Sequence, residues 1–278
     1  MRLALRSPAI SLTALAGALI VGGLVAAPAA SASAASCSDV EVIFARGTGE
    51  PRGLGTVGRP FVQAVTRELS GYSVSSYAVD YAANASQTSS GPGSTDMVRR
   101  IESVAASCPD TRFIIGGYSQ GATVTTKAVG VRSGLSSGTA IPAELSDRVA
   151  AVVVFGNPLG KRGRTIAGES TVYGPRSLDL CVSGDTVCDP RGASWAAHLR
   201  YNSGGHVADG AAFAAALVTD GAPGSGSTPT PGAGSGSGAG SGSSGLLERL
   251  SSWRSGSGSG WSSGWGSGLT PRWSLGSR

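Results

Sequence analysis

The sequence predicts an α/β protein in which a central, mainly five-stranded parallel sheet lies between two layers of helices, a three-layer α/β/α sandwich with no large lid. Three observations predict it. Apolar runs of strand length alternate with segments of helical spacing, an order that requires a parallel sheet covered on both faces. The run at residues 149–155 is almost wholly β-branched or aromatic, as in a strand buried on both sides. Gly117-Tyr118-Ser119-Gln120-Gly121 stands between Phe113-Ile114-Ile115 and Ala122-Thr123-Val124, which sets a serine on a strand-to-helix turn.

The elements follow in order. Residues 40–44 form an apolar strand that ends at Arg46-Gly47-Thr48-Gly49, and Phe61, Val65 and Leu69 give residues 60–69 a helical stripe. Residues 73–81 read as the second strand. Ser94 or Thr95 then caps a helix with Met97, Ile101, Val104 and Ala105 on one side, closing near Cys108-Pro109. Residues 113–115 are the third strand and 122–131 its helix. Residues 149–155 are the fourth strand, 178–182 the fifth, and 207–218 a closing helix. Ligands of such sheets bind at the carboxyl ends of the strands.

Composition divides the chain into three. Residues 1–35 carry Arg2 and Arg6, an apolar stretch over about residues 10–27, and Ala30-Ser31-Ala32-Ser33-Ala34 at cleavage spacing. That pattern reads as a cleaved secretory signal peptide, and the alanine-rich exit without a basic stop-transfer cluster disfavours a membrane anchor. Residues 36–221 are the folded domain. Residues 222–278 turn to Gly, Ser and Pro, a composition that builds no core, with Trp253, Trp261, Trp265 and Trp273 among arginines. Those tryptophans suggest contact with a cell wall, polymer or lipid surface, and a solvated extension without a target is the competing reading. The formal charge of +5 loses +2 with the leader and +3 with the tail (Arg249, Arg254, Arg272 and Arg278 against Glu248), so the domain itself is neutral. The basic pI of the whole chain therefore does not point to nucleic acid.

Four cysteines remain after export, Cys37, Cys108, Cys181 and Cys188, and an even count in an oxidising compartment implies two disulfides with three possible pairings. Proximity favours Cys181 with Cys188, which leaves Cys37 with Cys108. Loop entropy then gives roughly 2.5 kcal/mol for the short loop and about 4.4 kcal/mol for the long one. Zinc is disfavoured, because there is no C-x-x-C pair and the chain has only two histidines. The glycine-rich Gly47-Thr48-Gly49-Glu50-Pro51-Arg52-Gly53 fails as a dinucleotide loop: its third glycine is one place late and Pro51 intrudes.

A serine hydroxyl needs a base, and the candidates are His198 and His206. His206 opens the closing helix, where a histidine is ordinarily a surface residue, so His198 is the expected base. On this kind of sheet the orienting acid falls between the serine and the histidine. Asp147 precedes the fourth strand, at the wrong edge of the sheet, and Asp179 falls inside the fifth. Asp185 follows the fifth strand inside the Cys181 to Cys188 loop, which limits its motion, and Asp189 is the reserve. An acyl-transfer oxyanion needs two backbone donors. Gln120, after the serine, supplies the first; Thr48 is the natural second, although spacing alone makes it equally a turn residue.

Together these segments resemble the cutinases. The resemblance rests on Ala45-Arg46-Gly47-Thr48, Gly116-Gly117-Tyr118-Ser119-Gln120-Gly121, Val154-Phe155-Gly156-Asn157-Pro158, Cys181-Val182-Ser183-Gly184-Asp185-Thr186-Val187-Cys188 and Ala197-His198-Leu199-Arg200-Tyr201, over about residues 37–221. It implies an α/β-hydrolase fold, Ser119 as nucleophile, His198 as base, Asp185 as orienting acid, Thr48 with Gln120 as the oxyanion hole, and disulfides Cys37 to Cys108 and Cys181 to Cys188. It departs in Thr48, where many members have serine, and in the long tail. The expected protein is a secreted, monomeric serine esterase acting without metal or cofactor on cutin, polyesters or lipids. The rival readings are an acetylxylan esterase, an envelope lipid esterase or phospholipase, and a surface-binding protein with an idle core.

Overall fold

Strand β1 (Val40–Ala45) is buried along its whole length and alternates its side chains between two cores. Val40, Val42 and Phe44 enter one core and Ile43 and Ala45 the other, as a period-two strand covered on both faces must do. The computed structural model describes residues 37–221 apart from Leu135. The expected leader (residues 1–35) and the Gly/Ser/Pro-rich tail with its four tryptophans lie outside the described residues.

The chain continues as α1 (Gly55–Glu68), β2 (Val74–Ala78), α2 (Ser90–Ser107), β3 (Arg112–Tyr118), α3 (Gln120–Ala128), β4 (Val149–Phe155), α4 (Ile166–Glu169), β5 (Ser177–Leu180), α5 (Trp195–His198) and α6 (His206–Asp220). The five strands lie in the order β2-β1-β3-β4-β5, and every neighbouring pair is parallel. Helices α1 and α6 pack on one face, where Phe44, Phe61 and Phe155 meet with ring centroids 5.5 to 6.2 Å apart. Helices α2 and α3 cover the other face around Met97, Ile101, Ile115 and Val152. No large lid stands over the sheet among the described residues, and no described helix is long and apolar enough to cross a membrane.

Several boundaries differ from expectation: β3 runs on to Tyr118, α3 ends at Ala128 and β5 at Leu180, and three others have a local cause. Helix α1 begins at Gly55 rather than at residue 60, so Pro60 lies inside it. Proline has no N–H to give the carbonyl four residues back, and the side-chain amide of Asn202 donates to that carbonyl, Thr56 O, at 2.9 Å instead. Helix α2 begins at Ser90, ahead of Ser94 and Thr95, because Pro92 falls in the first turn, where no intrahelical N–H is required. Strand β2 stops at Ala78, opposite Phe44 near the end of β1, its only partner among the described residues, and Val79 and Tyr81 turn inward to the core.

Two disulfides close the frame at opposite ends. Cys37, before β1, is bonded to Cys108, between α2 and β3, at the amino edge of the sheet; Cys181 is bonded to Cys188 just past the carboxyl end of β5.

Candidate active site

At the carboxyl edge, between β3 and α3, Ser119 has φ +56° and ψ −115°, a strained conformation for a residue with a side chain. Its N–H donates to Phe155 O at 2.9 Å, which holds the turn against β4. The turn is tight enough to exclude side chains on either side. A Cβ on Gly117 would collide with the carbonyl of Gly121, and one on Gly121 with the carbonyl of Ala45. The two glycines are therefore the condition for bringing β3, α3 and the end of β1 together.

His198 closes the short helix α5, whose start is capped by Ser194 accepting from Ala197 N. Its Nε2 lies 2.9 Å from Ser119 Oγ, and its Nδ1 lies 2.8 and 2.9 Å from the two carboxylate oxygens of Asp185. The imidazole is buried and stacked on Tyr118, centroids 5.0 Å apart, while the Tyr118 hydroxyl donates to His198 O at 2.8 Å. Asp185, in the loop after β5, is completely buried. Burial alone would raise its pKa, but hydrogen bonds from His198, Tyr201 and the N–H of Val187 outweigh that and hold the carboxyl below the usual carboxylate range. A base bonded to the serine on one nitrogen and to a carboxylate on the other can take the hydroxyl proton and hold the resulting positive charge.

The other candidates lie elsewhere. Asp147 is exposed at the amino side of β4, with Arg176 3.7 Å away. Asp179 lies within β5 and accepts from Asn157 Nδ2 at 2.7 Å and Ile166 N at 3.0 Å; burial pushes its pKa up to about 6 against those two bonds. Asp189 accepts from Gly184 N and Arg191 N at 2.7 and 2.9 Å, which fixes the loop around Asp185 without reaching His198. His206 is the first residue of α6, with its ring 5.7 Å from that of Tyr201.

The loop after β1 is held from both sides. The buried Arg46 guanidinium donates to Glu50 O and Tyr81 O at 2.8 and 2.6 Å, and the Glu50 carboxylate accepts from Gly47 N and Thr56 N at 2.6 and 2.8 Å. Thr48 sits at its apex. The Thr48 hydroxyl accepts from Gln87 Nε2 at 2.9 Å, which leaves its own proton free to point elsewhere. Gln120 opens α3, so its N–H is one of those a helix leaves without an intrahelical acceptor, and its side chain donates to Asn84 O at 3.0 Å. Beside this arrangement Trp195 and Leu199 are 59% and 61% exposed, and the Trp195 ring lies 4.9 Å from His198.

The model of the cutinase family matches residues 36–218. The chain belongs to the cutinase family. A cutinase of Kineococcus radiotolerans is 60% identical over 186 residues, covering 66% of this chain and 63% of that protein. The probable carboxylesterase Culp3 of Mycobacterium tuberculosis is 46% identical over 153 residues, covering 55% of this chain and 58% of its own length. The chain thus spans less than two thirds of either relative. Among solved structures, Trichoderma reesei cutinase in complex with a phosphonate inhibitor is 31% identical with a TM-score of 0.51, over 66% of this chain and 76% of that one. The parallel five-stranded sheet between helices is the family's α/β-hydrolase fold.

Sequence reasoning missed Gln87, Tyr118 and Tyr201, although each touches a candidate residue. Tyr118 and Tyr201 flank Ser119 and His198 inside the matching segments, and that adjacency was the available signal. Gln87 carries none: its φ is +63°, and its bond to Thr48 spans 39 positions.

Proposed function

We propose that the chain is a secreted serine esterase that hydrolyses carboxylic esters of polymeric or aggregated substrates, cutin-like polyesters or lipids, through an acyl-enzyme. The observation that carries this reading is the continuous hydrogen-bonded line from Ser119 through His198 to the buried Asp185, on a strained turn at the carboxyl edge of the sheet. Ser119 Oγ attacks the ester carbonyl as His198 Nε2 takes its proton. The carbonyl oxygen, now negative, is met by the N–H groups of Gln120 and Thr48 and by the Thr48 hydroxyl. Collapse breaks the bond to the alcohol, which leaves with the proton from His198. Water, deprotonated by the same nitrogen, then attacks the acyl-serine and releases the acid.

Exposed apolar surface beside His198, from Trp195 and Leu199, supports substrates presented at an interface over small acetyl groups on a sugar. A p-nitrophenyl ester series from C2 to C16, run beside cutin and acetylated xylan, tests the reading. Activity that peaks at acetyl and on xylan would move it to an acetylxylan esterase, and no hydrolysis of any ester would leave an idle core.

Two disulfides fit an oxidising compartment, and the pattern at residues 1–35 supports export. The chain acts as a monomer, and its tryptophan-bearing tail tethers it to a wall, polymer or lipid surface. Truncation after residue 222 should leave kcat/KM on a soluble ester unchanged and weaken adsorption to insoluble polyester, cell wall or anionic vesicles. Equal adsorption of both forms to all three surfaces would leave the tail passive.

A further inference from the structure

We propose that Tyr201 is a positioning residue of the ester-hydrolysing site: its hydroxyl aims the Asp185 carboxylate at His198 and helps to keep it ionised. The inference rests on the proposed roles of Ser119, His198 and Asp185. The Tyr201 hydroxyl donates to Asp185 Oδ2 at 2.6 Å, the same oxygen that lies 2.8 Å from His198 Nδ1. Val182 N approaches that hydroxyl at 3.3 Å and serves as its donor, so the phenol oxygen accepts from the backbone and gives its proton to the carboxylate. The ring is 1% exposed and boxed edge-on by Tyr118, Phe155 and His206 at 5.6 to 6.0 Å, which leaves the hydroxyl little choice of direction.

A carboxylate with no exposure needs donors to stay charged. Asp185 has His198, Val187 N at 2.7 Å on Oδ1, and Tyr201. Both oxygens face His198 Nδ1; the backbone donor restrains Oδ1 and Tyr201 restrains Oδ2. Tyr201 also stands three residues beyond His198 in the chain, so one short segment delivers the base and the group that steadies its partner.

The titratable groups around Asp185 are His198 and Tyr201, with Tyr118 stacked on the imidazole and His206 on the far side of the Tyr201 ring; Glu50 lies beyond Tyr118. Burial and the Asp185 charge push the Tyr201 phenol far up, so it remains a donor throughout the working range. Removing its hydroxyl leaves Asp185 with one donor fewer, so the carboxyl is easier to protonate and less firmly aimed at His198 as pH falls, which moves the acid limb of activity to higher pH.

The test is Tyr201→Phe in the full-length protein, with kcat and KM for p-nitrophenyl butyrate followed from pH 5 to 9 and the downfield His198 Nδ1–H resonance recorded by proton NMR. Loss of one hydrogen bond to a charged group predicts a kcat lower by about tenfold at neutral pH, KM within about twofold, and an acid limb raised by about one pH unit. The resonance should shift. Placing 4-aminophenylalanine at position 201 keeps the ring and a weaker donor. It should fall between wild type and Tyr201→Phe in kcat and acid limb, and it carries the test alone if the phenylalanine variant does not fold. A wild-type pH profile and resonance in either folded variant, or a change confined to KM, would overturn the assignment. Activity surviving in Ser119→Ala would overturn the underlying reading instead, so the two failures are distinguishable.

Discussion

Replacing Asp179 by asparagine should change how stability responds to pH. Asp179 lies within β5, away from the hydrogen-bonded serine, and burial pushes its pKa from 3.8 up to about 6 despite donors from Asn157 and Ile166. The folded protein therefore binds a proton there more tightly than the unfolded chain does. Stability falls as pH rises between those two values and stays lower above them. At 1.36 kcal/mol for each pH unit separating the two pKa values, the loss between pH 3.5 and pH 7 is about 3 kcal/mol. Asparagine keeps the shape and abolishes the titration. It also turns an amide toward one of the two donors, an offset of about 1–3 kcal/mol that does not depend on pH. Urea denaturation of both proteins at half-unit steps from pH 3.5 to 7, disulfides intact, gives wild-type minus variant stability as a function of pH. Carboxylates shared by the two proteins cancel in that difference, including Asp39 and Asp189, whose depressed pKa values make stability rise with pH. The difference should fall by about 3 kcal/mol with a midpoint near pH 5. A flat difference would refute the argument that burial without a cationic partner dominates at Asp179.

Ser119→Ala should remain folded and lose roughly six decades of kcat, with His198→Ala nearly as damaging and His206→Ala mild, because members of such a set act as a unit. More than a tenth of wild-type activity in folded Ser119→Ala, or the reverse ranking of the histidines, would show that the roles are misassigned. Opening the Cys181–Cys188 bridge by replacing both with alanine should lower kcat even where circular dichroism is unchanged, since the bridge encloses Asp185; unchanged kcat with unchanged spectra would mean that the loop needs no clamp. Gly156 has φ +59°, and a Cβ there would lie 2.8 Å from His198 Cε1 and 3.1 Å from the Tyr201 hydroxyl. Gly156→Ala should thus cost about 1–2 kcal/mol of stability in a thermal melt and on the order of a hundredfold in kcat by displacing the imidazole, and wild-type turnover would refute the contact.

Much of the fold was legible because burial on both faces leaves a coarse mark: the apolar runs at residues 40–44, 113–115 and 149–155 lie within β1, β3 and β4. The candidate site was legible for a different reason. Only two histidines had to be weighed, and two cysteines bracketed one aspartate, so few combinations existed. Where pattern reading fell short, the deciding interaction was long-range or broke a local rule. Proline normally marks the start of a helix, yet α1 runs through Pro60 because its apolar stripe, including Val57 and Phe61, packs as one unit. The groups that hold the site, Gln87 on Thr48 and Tyr201 on Asp185, are ordinary polar residues whose partners appear only when distant segments meet.

Pro60 turns a helical imperfection into an attachment point. The carbonyl it leaves without a backbone donor, Thr56 O, is taken by Asn202, four residues past His198, so α1 is tied to the segment that carries His198. An engineer seeking heat resistance by helix propensity would replace Pro60 with alanine first. Alanine restores an N–H that competes with Asn202 for Thr56 O and slackens the tie. If His198 acts as proposed, Pro60→Ala should raise the melting temperature while lowering kcat on a soluble ester, and a screen scored on melting temperature alone would miss the loss.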